Sequence, residues 1–167
     1  MSADIDDKLR RVRAAFAPLV GARLASVETA ELRFDDGTWG PWRDLPVRLV
    51  ADTGAVVSIA WSKFDELWIA SDASLPFSID GATVRWATNA EPALAAGVGG
   101  RIGAVWLGRD AMTLGTTTVP IWTRLFVEVG DAWLEVYDAL DENGYARHDT
   151  LPACERICAL TRDGASA

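Results

Sequence analysis

From Val47 onward the chain alternates. Val47, Leu49 and Ala51 are apolar at every second position, with Arg48 between them and Asp52 after. A period of two is what a strand with one buried face requires. Gly54 permits a tight turn, and Val57, Ile59 and Trp61 then alternate in the return direction. That combination predicts a β-hairpin. The same pattern recurs later. Leu125, Val127 and Val129 lead into Gly130-Asp131, after which Trp133, Glu135 and Tyr137 alternate with Leu134 and Val136. Leu67-Trp68-Ile69, Thr83 to Trp86 and Gly103 to Leu107 are further strand-like runs. Most of residues 20–137 therefore reads as short strands punctuated by Gly, Pro and Asp.

The ends read differently. Ile5, Leu9, Val12 and Phe16 form one stripe at helical spacing, which predicts a helix over 4–17. Asp4, Asp6 and Asp7 stand in its first turn, where the dipole favours anions, and Pro18 stops it. Near the other end Pro152 suits an early helical position. Cys154, Ile157, Cys158 and Leu160 then offer an apolar face, which predicts a second helix over 151–162. Ala90 to Val98 is a short turn or helix joining the two β regions.

Those β regions resemble each other. Val20-Gly21-Ala22-Arg23-Leu24-Ala25-Ser26-Val27 aligns with Val98-Gly99-Gly100-Arg101-Ile102-Gly103-Ala104-Val105, an offset of 98 − 20 = 78 residues. Gly37-Thr38 matches Gly115-Thr116 at the same offset. After a two-residue slip Arg48-Leu49 matches Arg124-Leu125, Gly54 matches Gly130, and Asp65-Glu66 matches Asp141-Glu142. Two copies are too few for a solenoid. They suggest instead one domain over 1–167, with a first β repeat at 19–90 and a second at 97–145. The expected fold class is β-rich α+β. Two similar antiparallel units form one sheet system or half-open barrel, with a helix at each end.

Charge narrows the function classes. The 167 residues carry 16 Lys+Arg against 24 Asp+Glu, a formal net charge of −8. Nucleic acid and anionic lipid both require a basic footprint, so neither is an expected partner. No apolar run reaches the roughly 18 residues of a bilayer span. The acidic start, Met1-Ser2-Ala3-Asp4-Ile5-Asp6-Asp7, lacks the basic and apolar regions of a secretory signal, and the expected compartment is the cytoplasm. Cys154 and Cys158 at i,i+4 on a helix are badly placed for a disulfide. With a single His in the chain no Cys/His zinc set can be assembled, and no cofactor is expected.

No motif with a mechanism occurs: neither a dinucleotide or phosphate loop, nor a zinc helix, nor a nucleophile elbow. His148 reads as a surface or helix-start residue. Asp138, Asp141 and Asn143 fail calcium-loop spacing, and Asn143-Gly144 reads as a turn. Asp65 with Asp141, or Glu66 with Glu142, would be acid–base candidates only if buried.

The eight Trp residues are unusual for this length. Trp39-Gly40-Pro41-Trp42 lies in a Gly/Pro loop, where indoles are hard to bury and can serve as interface anchors. Phe64-Asp65-Glu66 falls between two strand-like runs, so its side chains project from a loop. The expected partner-binding set is Phe64, Asp65, Glu66, Trp68 and Asp72, joined by Asp141 and Glu142 and by Trp39 and Trp42. The expected function is non-catalytic: an acidic protein that binds a protein with a basic surface. A toxin-neutralising immunity protein is its most concrete form. Two alternatives from other classes stay open. One is an enzyme or carrier enclosing a small apolar ligand in a Trp-lined barrel. The other is a structural homodimer.

Overall fold

The computed structural model describes residues 3–163. It opens on helix α1 (Ala3–Phe16). The predicted stripe is what it buries: Leu9, Val12 and Phe16 are all within the core. Strand β1 (Leu24–Arg33) follows, then β2 (Trp39–Pro41), β3 (Val47–Ala51), β4 (Val56–Ser62), β5 (Glu66–Ala70) and β6 (Val84–Thr88). A four-residue helix α2 (Pro92–Ala95) leads to β7 (Ile102–Leu114), β8 (Thr117–Val129), β9 (Ala132–Asp138), β10 (Asn143–His148) and β11 (Arg156–Leu160).

The strands form two antiparallel sheets. The first runs β2-β1-β3-β4-β5, with β6 also on β1; the second runs β10-β9-β8-β7-β11. In each sheet a four-strand meander starts at the first long strand, and the last strand returns to pair with that first strand. The predicted hairpins are β3–β4 and β8–β9. Val47 stands opposite Ile59 and Leu49 opposite Val57; Leu125 stands opposite Val136 and Val127 opposite Leu134. Gly54 (φ 87°) and Gly130 (φ 61°) sit in the two corresponding turns, in the left-handed region that glycine enters at least cost.

The segments preceding β1 and β7 meet at an isolated bridge between Arg23 and Arg101. The hydrogen bonds around it recur at the 78-residue offset. Gly21 N–H donates to the Ile102 carbonyl at 2.8 Å, and Gly99 N–H donates to Leu24 at 2.8 Å. Leu24 N–H donates to Gly100 at 2.9 Å, and Ile102 N–H donates to Ala22 at 2.8 Å. Arg23 Nη1 donates to the Gly99 carbonyl and Arg101 Nη1 to that of Gly21. The helices share the relation: Leu19 N–H donates to Phe16, and Gly97 N–H donates to Leu94. Phe16 and Leu94 are both fully buried.

One core lies between the sheets. Val47, Leu49, Ile59 and Trp61 of the first meet Leu107, Leu125, Val127 and Val136 of the second. α1 packs on β5 and β11, whereas α2 packs on β10, β1 and β9. α1 thus bridges an edge strand of each sheet, whereas α2 bridges edge strand β10 of the second sheet and the interior strand β1 of the first.

Three sequence expectations need correction. The C-terminal helix over 151–162 is absent. Residues 151–155 form no regular element and 156–160 are edge strand β11, paired to β7. Ile157 and Ala159 face the core, while buried Cys158 sits opposite Trp106 on the other face. With both faces covered, the run shows no alternation and imitates a helical stripe. Trp39-Gly40-Pro41, read as a loop, is strand β2 paired to β1. Finally, Asn143-Gly144 opens β10 rather than making a turn; the turn is at Leu140-Asp141. Among the described residues no helix is long and apolar enough to cross a membrane.

Candidate functional site

At one end of the molecule the β4–β5 and β9–β10 turns come together. Each turn holds two consecutive non-glycine residues in the left-handed region. These are Lys63 (φ 42°) and Phe64 (φ 68°) in the first, Leu140 (φ 63°) and Asp141 (φ 71°) in the second. An L-residue pays about 1–2 kcal/mol for that conformation, and it persists only where the surroundings fix it. Here hydrogen bonds fix it. Phe64 N–H donates to Asp141 Oδ1 at 3.0 Å, and Asp141 N–H donates to Asp138 Oδ1 at 2.8 Å. Asp65 N–H donates to the Lys63 carbonyl at 2.8 Å and Ala139 N–H to that of Glu142 at 2.8 Å.

The strained turns display apolar side chains instead of hiding them. Phe64 is 62% exposed and Leu140 is 93% exposed. Beside them the distal part of the β7–β8 hairpin completes a groove of about 430 Å³, with Met112 and Ile121 on its wall. The charged groups lining that groove are Asp110, Asp138 and Asp141, with no basic side chain among them. Burial pushes the Asp138 carboxyl above its usual range, and the neighbouring Asp141 and Asp65 charges push it further, against the Asp141 N–H bond.

The unfolded chain gives up this proton at lower pH than the folded one, so the penalty on folding begins as pH rises past the unfolded value and is complete above the folded one. An Asp138→Asn variant is expected to be more stable than the parent at neutral pH, by less than about 1 kcal/mol because solvent still screens the half-buried group. The advantage should disappear below about pH 4, where the parent carboxyl is protonated in both states. Urea midpoints at pH 7 and pH 3 check it.

The turn strain gives a second expectation. Leu140→Gly should raise stability by about 0.5–1 kcal/mol, the left-handed cost less the extra chain entropy of glycine. Almost nothing is lost in packing from a side chain this exposed. A lower urea midpoint would show that Leu140 is not strained.

The structure brings together Phe64, Asp65 and Asp141 of the expected set. Glu142 is exposed on the same turn, and Glu66 and Trp68 line a second groove on the other side of the β4–β5 turn. Asp72 is engaged locally. Its carboxylate accepts from Ser74, which holds its pKa below the usual carboxylate range. Trp39 lies under the Arg85 guanidinium, 4.4 Å from ring centroid to Cζ. Trp42 donates to Asp44 at 2.8 Å and tilts against Phe77. Trp39 stands in strand β2 and not in the expected loop, and both indoles are half-buried and already occupied.

Two charged groups escaped sequence reasoning. Lys8 is buried at 2% exposure on α1. Glu135, on the outer face of β9, is also buried at 2%. Its Oε1 accepts from Arg124 Nε at 2.6 Å, and its Oε2 lies 2.6 Å from His148 Nε2. The single histidine therefore sits within β10 as part of a carboxylate-centred cluster. The Glu135 hydrogen bond is the main reason the Arg124 pKa is raised. Alternation placed Glu135 correctly away from the core, but nothing in the sequence showed that its neighbours would cover it.

No protein-family model matches the chain, and no curated protein or solved structure matches it significantly.

Proposed function

We propose that this is a non-catalytic protein-binding protein, with the end bearing Phe64 and Leu140 as its recognition surface. The partner presents a basic surface with an apolar side chain at its centre, and an immunity protein masking a toxin is the most concrete form. One observation carries the reading. Four non-glycine residues are held in strained turns, and their effect is to expose Phe64 and Leu140 beside a groove charged only by carboxylates. Strain retained at exposed turns is a feature of functional sites, and loops on a rigid β scaffold are where recognition concentrates. The apolar pair supplies a desolvated centre and the carboxylates steer a basic partner toward it. The same charges repel the phosphates of nucleic acid.

The 78-residue recurrence of hydrogen bonds and the shared strand order support descent of the two halves from one duplicated unit. On that reading the two turns are equivalent elements, drawn to the same end.

The test uses a peptide selected from a random display library against the parent protein. Association of that peptide with an Asp110→Lys/Glu142→Lys variant, both side chains being exposed, should be slowed at least about tenfold at low salt, with a much smaller loss at high salt. Equal rates for parent and variant at low salt would remove these carboxylates from the surface.

A further inference from the structure

The β7–β8 hairpin outruns the sheet that holds it. β8 pairs with β9 only from Arg124 onward. β7 pairs with β11 only up to Gly108, with Arg109 N–H still donating to the Glu155 carbonyl at 2.8 Å. Beyond these points residues 110–114 and 117–121 pair with each other, and among the described residues no strand pairs with their outer edges.

The two free edges differ. β8 carries Pro120, and a proline guards an edge because it has no N–H to offer. β7 carries neither Pro nor Lys there. From Ala111 to Thr123 no residue is charged, although 24% of the chain is. Ala111 stands opposite Pro120, so this pair does not exchange hydrogen bonds. Ala111 N–H donates instead to Asp110 Oδ1 at 2.8 Å. Outward groups recur at every second residue of an antiparallel ladder, which places those of Thr113 on the same edge. Met112 and Leu114 share a face of the arm with Val119 and Ile121, and Leu114 is 52% exposed.

We propose that this β7 edge pairs with the same edge of a second copy, joining two chains in one continuous sheet. Pairing about a twofold axis requires a self-complementary segment, and this one complies. With Met112 opposite its own copy, Ala111 of each chain exchanges both N–H···O bonds with Thr113 of the other. Asp110 then stands opposite Leu114, so no like charges face each other directly, which would destabilise a strand pair. The ladder stops there, because Arg109 is already bonded to Glu155. The exposed Asp110 carboxylate releases Ala111 N–H to the incoming carbonyl and stays in water. Charge favours a copy as the occupant. A basic partner gains nothing from an uncharged edge, whereas chains that each carry −8 repel one another least there. Phe64 and Leu140 take no part, so the dimer is independent of the partner surface.

Sedimentation velocity of the full chain between about 5 and 500 µM tests it. The 18.0 kDa monomer should give way to a dimer within that range, as a small interface implies. Raising salt from about 20 to 500 mM should tighten the dimer at least about threefold, because screening removes the like-charge repulsion. Thr113→Pro removes an outward N–H that the β7–β8 ladder does not use, and Met112→Lys sets two ammonium groups opposite each other. Each should weaken the dimer at least about tenfold. Cysteines read the register. In a Cys154→Ser background, Met112→Cys should cross-link two chains under mild oxidation, because directly opposite residues at such a position lie within disulfide reach. Leu114→Cys, facing Asp110, should not. Phe64→Ala/Leu140→Ala should stay dimeric. A monomer throughout the concentration range, or a dimer that Thr113→Pro and Met112→Lys leave intact, would overturn the proposal. Cross-linking of Leu114→Cys as readily as Met112→Cys would overturn it too. A monomer whose selected peptide is lost on Thr113→Pro would assign the edge to a foreign strand instead of a copy.

Discussion

An Asn143→Asp variant is expected to lose more than about 4–5 kcal/mol at neutral pH, enough to unfold a marginally stable domain. Asn143 is fully buried and stands where the two sheets meet. Its Oδ1 accepts from Trp61 N–H at 2.9 Å, and its Nδ2 donates to the carbonyls of Ile59 at 3.0 Å and Leu45 at 3.3 Å. Its own N–H donates to Arg43 at 2.9 Å. The side-chain amide acts as a peptide group between β4 and the segment entering β3, where their ladder has ended at Val47–Ile59. A carboxylate of the same size would present oxygen to two carbonyls and be desolvated without a cation. Asn143→Ala should cost less, roughly 3–5 kcal/mol, for three backbone groups left without a partner. The aspartate variant has a further signature. Its new carboxyl is neutral at low pH and regains one donor, so its deficit should shrink as pH falls. A deficit independent of pH between 7 and 4 would mean that the amide donors are not what holds this junction.

Trp61→Ala is expected to cost about 3–5 kcal/mol for the lost ring and its cavity, plus about 1 kcal/mol for an orphaned acceptor. Trp61 is fully buried, and its Nε1–H donates to the Val136 carbonyl of the opposite sheet at 3.0 Å. The indole both fills the space between the sheets and ties them together. Trp61→Phe keeps most of the volume and should lose about 1–2 kcal/mol, mainly through the unpaired carbonyl. Urea unfolding of the three proteins separates the two contributions. Equal midpoints for Trp61→Ala and Trp61→Phe would show that the space between the sheets is not packed by this ring.

Trp61 also marks where the sequence was readable. Alternation through Val57, Ile59 and Trp61 located both the strand and the face it turns to the core, because Ser58 and Ala60 on the other face, although also buried, are small. The first helix was equally plain, since Ile5, Leu9, Val12 and Phe16 leave only one stripe to bury. The last strand was hidden for the converse reason: Cys158 is buried on the face opposite Ile157 and Ala159, which erased the period. Five residues are too few for length to decide between helix and strand. At the candidate site, Phe64 and Asp65 stood out because they interrupt two strand runs. The meeting of their turn with Leu140 and Asp141 depends on how the sheets are joined, which local pattern does not encode. Lys8 sat in plain view on the flank of the α1 stripe. Its burial depends on Asp65, 57 positions away, and on the groove they share.

Peptide selection tests the Phe64–Leu140 end as a recognition surface. A random peptide library is panned against the parent protein and, in parallel, against a Phe64→Ala/Leu140→Ala variant. Both side chains are exposed, so the variant is expected to keep its fold, which circular dichroism verifies first. The parent is expected to enrich sequences joining an aromatic or aliphatic residue to Lys or Arg. Those sequences should bind the variant at least about tenfold more weakly, as loss of a hot-spot pair implies. Enrichment of acidic or uncharged sequences, or of basic ones that bind parent and variant alike, would contradict the assignment of this end of the molecule as the recognition surface.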